Sequence, residues 1–273
     1  VDEDLTTEGT ETATIKVYSD SGRNTQVGNT LTVTISDTST TPTEDFSAEF
    51  DGNDDYLSMA TSSDLSFGTS DYTVECWVKP TSLSGTLEIV LNTGGFDDST
   101  FYFHYRNNQL SVGNLSAYIS NQATTFENGA WYHIVACRSG STLKLFKNGT
   151  QVGSDVTDNT NWASGGPILI GAQNGPQQLV NGKISNLRVV KGQALYTSNF
   201  TPSSTALTTT SQGATSSNVK LLCCKTSTLT DADVKPGTIT VEGAVSSTED
   251  PFEGDYSVEF DGNDYLTMAD STD

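Results

Sequence analysis

From Asp45 onward, short runs rich in β-branched, aromatic and aliphatic residues recur at intervals of about ten residues, each closed by a Gly, Asn or Asp turn. This rhythm is the feature that most constrains the fold, because a short strand buries its apolar face only against another layer of sheet. The runs expected as strands are Phe46–Asp51, Tyr72–Lys79, Leu87–Leu91, Phe101–Tyr105, Gln109–Val112, Trp131–Arg138, Leu143–Lys147, Ile168–Ile170, Gly182–Val190 and Val219–Cys224. In WYHIVACR, residues Tyr132, Ile134 and Ala136 alternate with Trp131, His133 and Val135, so the segment offers two faces, one of which packs on an opposing sheet. Asn148-Gly149 accepts the positive φ of a tight hairpin and returns Val152 beside Leu145. Helical periodicity is absent apart from a short turn at GQALYTSNF. The spacing predicts an all-β chain whose main body is a two-sheet antiparallel jelly-roll sandwich.

The phrase FDGNDDYLSMA, Phe50–Ala60, returns as FDGNDYLTMA at Phe260–Ala269, and the match extends over Asp45–Asp64 and Asp255–Asp273. Two copies of one unit therefore lie about 210 residues apart, and the chain reads as an excerpt of a longer tandem array whose second copy is cut short. Three parts are expected. Residues 1–43, with TATIKVYSD and NTLTVTISD alternating β-branched and polar positions, form the C-terminal part of a β domain that ends in the polar linker TSTTPTED. Residues 44–226 form the sandwich, and 227–273 are linker and the start of the second repeat, with ownership of 219–254 open between the two copies.

A formal net charge of −21 repels phosphate backbones and anionic membranes, so nucleic acid is an unsuitable partner. No apolar run approaches the ~18 residues of a membrane span. The same charge favours divalent cations, or serves only to keep a long fibre soluble. Cys76 and Cys137 either form a disulfide or remain buried thiols, whereas adjacent Cys223 and Cys224 would point to opposite faces of a strand.

DYTVECWVKPTS, GAWYHIVACRSGSTLKLFKNGTQVG, ILIGAQNG and NGKISNLRVVKGQALYTSNFTP occur in an order and spacing that resembles laminin G-like domains of the concanavalin A-like lectin superfamily, which includes the pentraxins. The resemblance covers Asp45–Cys224, and SNLRVVKGQALYTSNFTP followed by KLLCC is similar to domains of marine phage tail fibres and cyanobacterial surface proteins. The N-terminal TTEGTETATIKVYSDSG resembles the closing hairpin of Calx-beta and related Ig-like repeats. The pentraxin likeness implies a calcium site at Asp97 and Asp98, at Gln173 and Asn174, and at Gln178, weakened because the second cluster has amides where those relatives have acids. FDGNDDYL is a second acidic cluster, read as an Asx and glycine turn in preference to a metal site.

Glycan stacking is expected from Tyr102, Tyr105, Tyr118 and above all Trp162, taken as an exposed platform in DNTNWASGG, while Trp77 and Trp131 belong to the core. The paired carboxylates of glycoside hydrolysis are missing: Glu75 and Glu88 read as lone surface charges, and His104 and His133 as satisfied structural histidines. The expected function is a non-enzymatic extracellular or virion-surface adhesion module, on a tail fibre or bacterial cell surface, that binds a cell-surface glycan or polysaccharide with calcium assistance. Neighbouring repeats of the same fibre would be its other partners. A purely structural spacer is the alternative, and a divergent glycosidase a distant third.

Overall fold

The computed structural model describes residues 11–35, 45–83, 87–95, 97–163 and 165–252, in two compact units that divide at Glu44 and Asp45. In the first unit β1 (Glu11–Ile15) pairs antiparallel with β2 (Leu31–Ile35), with Ala13 opposite Val33. Asp20 organises their connection by accepting from the backbone N–H groups of Asn24 and Thr25 at 3.0 and 2.7 Å.

The second unit contains β3 (Ser47–Asp51), β4 (Tyr56–Met59), β5 (Tyr72–Pro80), β6 (Glu88–Asn92), β7 (Tyr102–Arg106), β8 (Gln109–Gly113), β9 (Tyr118–Ala123) and β10 (Tyr132–Ser139). It continues with β11 (Thr142–Lys147), β12 (Thr150–Thr157), β13 (Ile168–Ile170), β14 (Asn181–Lys191), β15 (Val219–Cys223), β16 (Thr240–Glu242) and β17 (Val245–Ser247). They form two antiparallel sheets: an eight-stranded one in the order β12-β11-β10-β5-β14-β3-β17 with β15 also on β14, and a seven-stranded one in the order β16-β4-β13-β6-β7-β8-β9. This is the expected antiparallel sandwich.

Alternation along the strands decides what is inside. Tyr72, Val74, Cys76 and Val78 of β5 join Ile134 and Ala136 of β10 and Phe103 and Tyr105 of β7 in the core between the sheets. The opposite face of the eight-stranded sheet is also covered. Residues 192–218 run across it, so Val135, Cys137 and Phe146 pack with Tyr196 and Phe200, while Trp77 packs with Leu207 and Ala214. Cys76 and Cys137 thus lie on opposite faces of one sheet, which rules out a disulfide between them; the Cys137 thiol sits 3.4 Å from the Thr73 hydroxyl instead.

Asn148 and Gly149 turn the β11–β12 hairpin with φ of 49° and 76°, and Leu145 faces Val152 as the sequence suggests. The Gly149 carbonyl also accepts from the Phe200 N–H at 2.9 Å, and a Cβ at Gly149 would collide with the Phe200 carbonyl. Gly149→Ala is therefore expected to lower stability by about 2 kcal/mol through positive-φ strain and overpacking. A chemical denaturation curve unchanged within error would contradict that tight approach.

Residues 227–252, expected as linker and the start of a second repeat with the ownership of 219–254 open, supply structure to this sandwich: β16 pairs with β4, β17 pairs with β3, and Leu229, Ile239 and Ala244 enter the core. The repeated phrase at 260–269 lies outside the described residues.

Candidate functional site

Because Phe103 and Tyr105 of β7 face the core, their neighbours Tyr102 and His104 project from the other side of the seven-stranded sheet. There, with Ile89 from β6, they floor a cleft of about 300 Å³, at the small end of ligand pockets. Leu115 and Tyr118 form one wall and Asn114 and Gln173 stand at the rim.

Each wall has a local cause. The Asn114 side-chain oxygen accepts from the N–H groups of Ser116 and Ala117 at 3.0 and 2.8 Å, an Asx turn that folds the loop after β8. Beside that turn, Leu115 and Tyr118 remain 44% and 46% exposed, two of the few large apolar side chains so placed. The opposite wall is braced by Gln178, whose carbonyl and amide oxygens accept from the N–H groups of Ile89 and Leu87, both at 3.2 Å. A Glu88 carboxylate oxygen accepts the Asn181 N–H at 2.7 Å and fastens the same loop to β6.

The floor holds unsatisfied polarity. Among the described residues His104 Nδ1 has no hydrogen-bond partner, and burial, helped by the Arg106 charge, pushes the imidazole down to about 3, so the ring is neutral at ordinary pH. The Tyr102 hydroxyl also lacks a well-aligned partner, although the Gln173 side chain lies beside it; burial is the main cause of its raised pKa. The Tyr118 ring is centred 5.4 Å from the His104 imidazole. An apolar wall beside polar side chains is suited to a ligand with one apolar face and several hydroxyls. His104, read from sequence as satisfied, is not; its period-two spacing from Tyr102 was the signal available.

The structure redistributes the expected sugar platform. Tyr102, Tyr118 and the supposed metal ligand Gln173 meet in the cleft, whereas Tyr105 and Trp162 do not. Tyr105 is a core residue packed 5.1 Å from the Phe126 ring. Trp162 is 0% exposed: its indole N–H donates to Asp158 at 2.8 Å and its ring meets Phe101 edge-on. The Asn-rich loop that carries it folds inward, since a buried carboxylate satisfies the one polar atom of the indole.

Glu75 and Glu88 are likewise not surface charges. Both are buried; Glu75 accepts from Arg188, His133 and Tyr196, and burial lifts Glu88 to about 7. His133 keeps an Nδ1 without a partner while Nε2 contacts Glu75 at 3.1 Å.

Some atoms of the residues implied for calcium already have hydrogen-bond partners. Asp97 Oδ1 accepts from the Ser99 N–H and hydroxyl at 2.8 and 2.5 Å, Gln178 Oε1 from Leu87, and the Asn174 amide nitrogen donates to the Gly95 carbonyl at 2.7 Å. The Asp98 backbone carbonyl accepts from Asn114 at 3.0 Å. Calcium requires six to eight oxygens, and of the implied ligand atoms Asp97 Oδ1 and Gln178 Oε1 already accept hydrogen bonds. Asp51, Asp54 and Asp55 do bring carboxylate oxygens within 4.8 Å of one another. The oxygens of Asp51 and Asp55 hold the turn at Gly52, with Asp51 accepting from the Asn53 N–H at 2.8 Å and Asp55 accepting from the Asp51 N–H at 2.9 Å.

The family model for the concanavalin A-like lectin/glucanases superfamily matches residues 51–196, more than half of the chain. The chain belongs to this superfamily. Among solved structures, a provisionally assigned carbohydrate binding protein from Bacteroides ovatus aligns with a TM-score of 0.54 at 12% identity, over 89% of this chain and 70% of its own. A heptameric SAP-like pentraxin from Limulus polyphemus aligns with a TM-score of 0.40 at 20% identity, over 54% of this chain and 76% of its own. Domains LG4-5 of the mouse laminin alpha1 chain align at 0.40 and 14%, over 66% and 52%. At these identities the superfamily likeness is one of fold. Among curated proteins there is no match to the chain. No helix among the described residues is long and apolar enough to cross a membrane.

Proposed function

We propose that this superfamily member is a non-enzymatic carbohydrate-binding module whose cleft takes an uncharged sugar ring without a metal ion. The observation that carries the reading is the meeting of exposed Tyr118 and Leu115 with the side chains of Tyr102, His104, Asn114 and Gln173 at one cleft. Tyr118 offers a face for the apolar side of the ring, and the amides of Asn114 and Gln173 stand within the same lining to meet its hydroxyls. The lining carries no carboxylate or cationic side chain, and the net charge of −21 disfavours acidic sugars. Glycoside hydrolysis needs two carboxyls flanking the bond; the nearest along β6, Glu88, sits opposite the core residue Tyr105. The carbohydrate-binding assignment of the Bacteroides ovatus structure agrees with this reading. Adhesion outside the cell, on a bacterial surface or virion fibre, is the setting we propose for such a module.

Screening neutral oligosaccharides on a glycan array and then titrating calorimetrically in EDTA tests the reading. We expect binding that survives EDTA and is weakened about tenfold in Tyr118→Ala, with the melting temperature unchanged because the side chain is half exposed. Binding should be level from pH 5 to 8, since His104 is already neutral there. Loss of binding in EDTA, or an unaffected Tyr118→Ala protein, would overturn it.

A further inference from the structure

Cys223 closes β15 and Cys224 follows it. Neighbouring residues in a strand point to opposite faces, yet both of these side chains lie in the core between the sheets. The cause is Cys224, whose φ of 61° places it in the left-handed region and turns its side chain back beside that of its neighbour. The Asn186 N–H donates to the Cys224 carbonyl at 3.2 Å and holds that turn against the β14 bulge. The two sulfurs are 3.6 Å apart, in contact and short of a bond. Cys76 of β5 belongs to the same core, while Cys137 is on the far side of the sheet.

We propose that Cys223 and Cys224 form a reversible redox couple that closes to a vicinal disulfide on meeting a small-molecule disulfide oxidant, leaving Cys76 and Cys137 as thiols. One cysteine thiolate attacks the oxidant's S–S bond and expels one half of it as a thiol. The second cysteine then displaces the other half, so two thiol hydrogens and two electrons pass from the protein to the oxidant, which ends as two thiols. Burial raises the thiol pKa of Cys76, and the hydrogen bond to Cys224 together with burial raises that of Cys223, so the group is inert while β15 is docked. The proposed route is local opening: among the described residues β15 is paired along its length only with β14, and on its other side meets the one bridge from Leu222 to Val234. Consecutive Cα atoms stand about 3.8 Å apart, below the ~4.4–6.8 Å of ordinary disulfides, so the closed ring is strained and readily reduced. The pair therefore acts as a switch on the Cys224 turn, and through it on the docking of β15.

The test equilibrates the folded protein in glutathione buffers of increasing oxidised fraction, quenches in acid, unfolds, alkylates with iodoacetamide and maps each cysteine by mass spectrometry. The expected result is loss of two alkyl groups per chain, both from the peptide holding Cys223 and Cys224, restored by dithiothreitol. Cys76→Ser should leave that loss intact and Cys224→Ser should abolish it. Should Cys224→Ser fail to fold, the mapping in the parent and in Cys76→Ser still decides. Full alkylation at every potential, a bond that includes Cys76, or a persistent mixed disulfide with glutathione would each overturn the proposal.

Discussion

Replacing Glu75 by Ala should lower the stability of the sandwich by about 3–5 kcal/mol, the usual cost of leaving a buried charge uncompensated. Glu75 and Arg188 are both 0% exposed, and one carboxylate oxygen accepts from Arg188 Nε and a terminal nitrogen at 2.9 and 2.6 Å. The other oxygen accepts from the Tyr196 hydroxyl at 2.8 Å and lies 3.1 Å from His133 Nε2. Hydrogen bonding to His133 and the Arg188 charge outweigh desolvation and hold the carboxyl below its usual range. Arg188 in turn donates to the carbonyls of Thr208 and Ser211 at 2.8 and 3.0 Å.

One carboxylate thus fixes the covering segment 192–218 to the outer face of the sheet at Tyr196 directly and at Thr208 and Ser211 through Arg188. Beyond the shift in denaturation midpoint, the variant should show faster amide exchange in that segment than in the strands beneath. Glu249→Ala is the control. Glu249 bridges Lys79 and Lys183 at 2.7 and 2.9 Å with its side chain 47% exposed, so its loss should cost under about 1 kcal/mol. Equal effects from the two substitutions would show that burial does not govern these pairs.

The central strands were legible because their sequences carry both requirements of a covered strand. The expected Tyr72–Lys79 and Gly182–Val190 became β5 and β14 with ends moved by one residue, since Val, Ile, Trp and Cys occupy positions that both faces bury. Edge strands carry half the signal: β9, YISNQA, is mostly polar, and β16 and β17 are three residues each, so these went unread, as did the four-residue inner strand β4, while the edge strand β12 was foreseen only as the return limb of the Asn148-Gly149 hairpin. The site was harder still. Tyr102, Tyr118 and Gln173 are brought together by the order β13-β6-β7-β8-β9, which no local pattern encodes. Trp162 was misplaced for a related reason: the carboxylate that buries its indole, Asp158, is itself held 3.1 Å from Arg138 of β10, twenty residues earlier. The turn at Cys224 broke the period-two rule through a single positive φ, and a cysteine in the left-handed region has no marker in composition.

Two buried groups near the cleft should oppose each other in the pH profile of stability. Burial raises Glu88 from 4.5 to about 7, so between those values the folded state holds a proton that the unfolded chain has released, and stability falls as pH rises. Burial lowers His104 from 6.5 to about 3, so over that range the unfolded chain binds a proton that the folded state refuses, and stability rises with pH. The shifts correspond to about 3 and about 5 kcal/mol at full development, and they overlap between pH 4.5 and 6.5 with opposite sign. The parent protein should therefore show little net slope from this pair in that window. Glu88→Gln keeps the acceptor for the Asn181 N–H and removes the titration, so its stability relative to the parent should climb by about 3 kcal/mol as pH rises from 4.5 to 7. His104→Gln should do the reverse, its relative stability falling as pH rises from 3 to 6.5. Urea denaturation at several pH values measures both, and curves parallel to the parent in either variant would show that the group in question is not desolvated in the folded state.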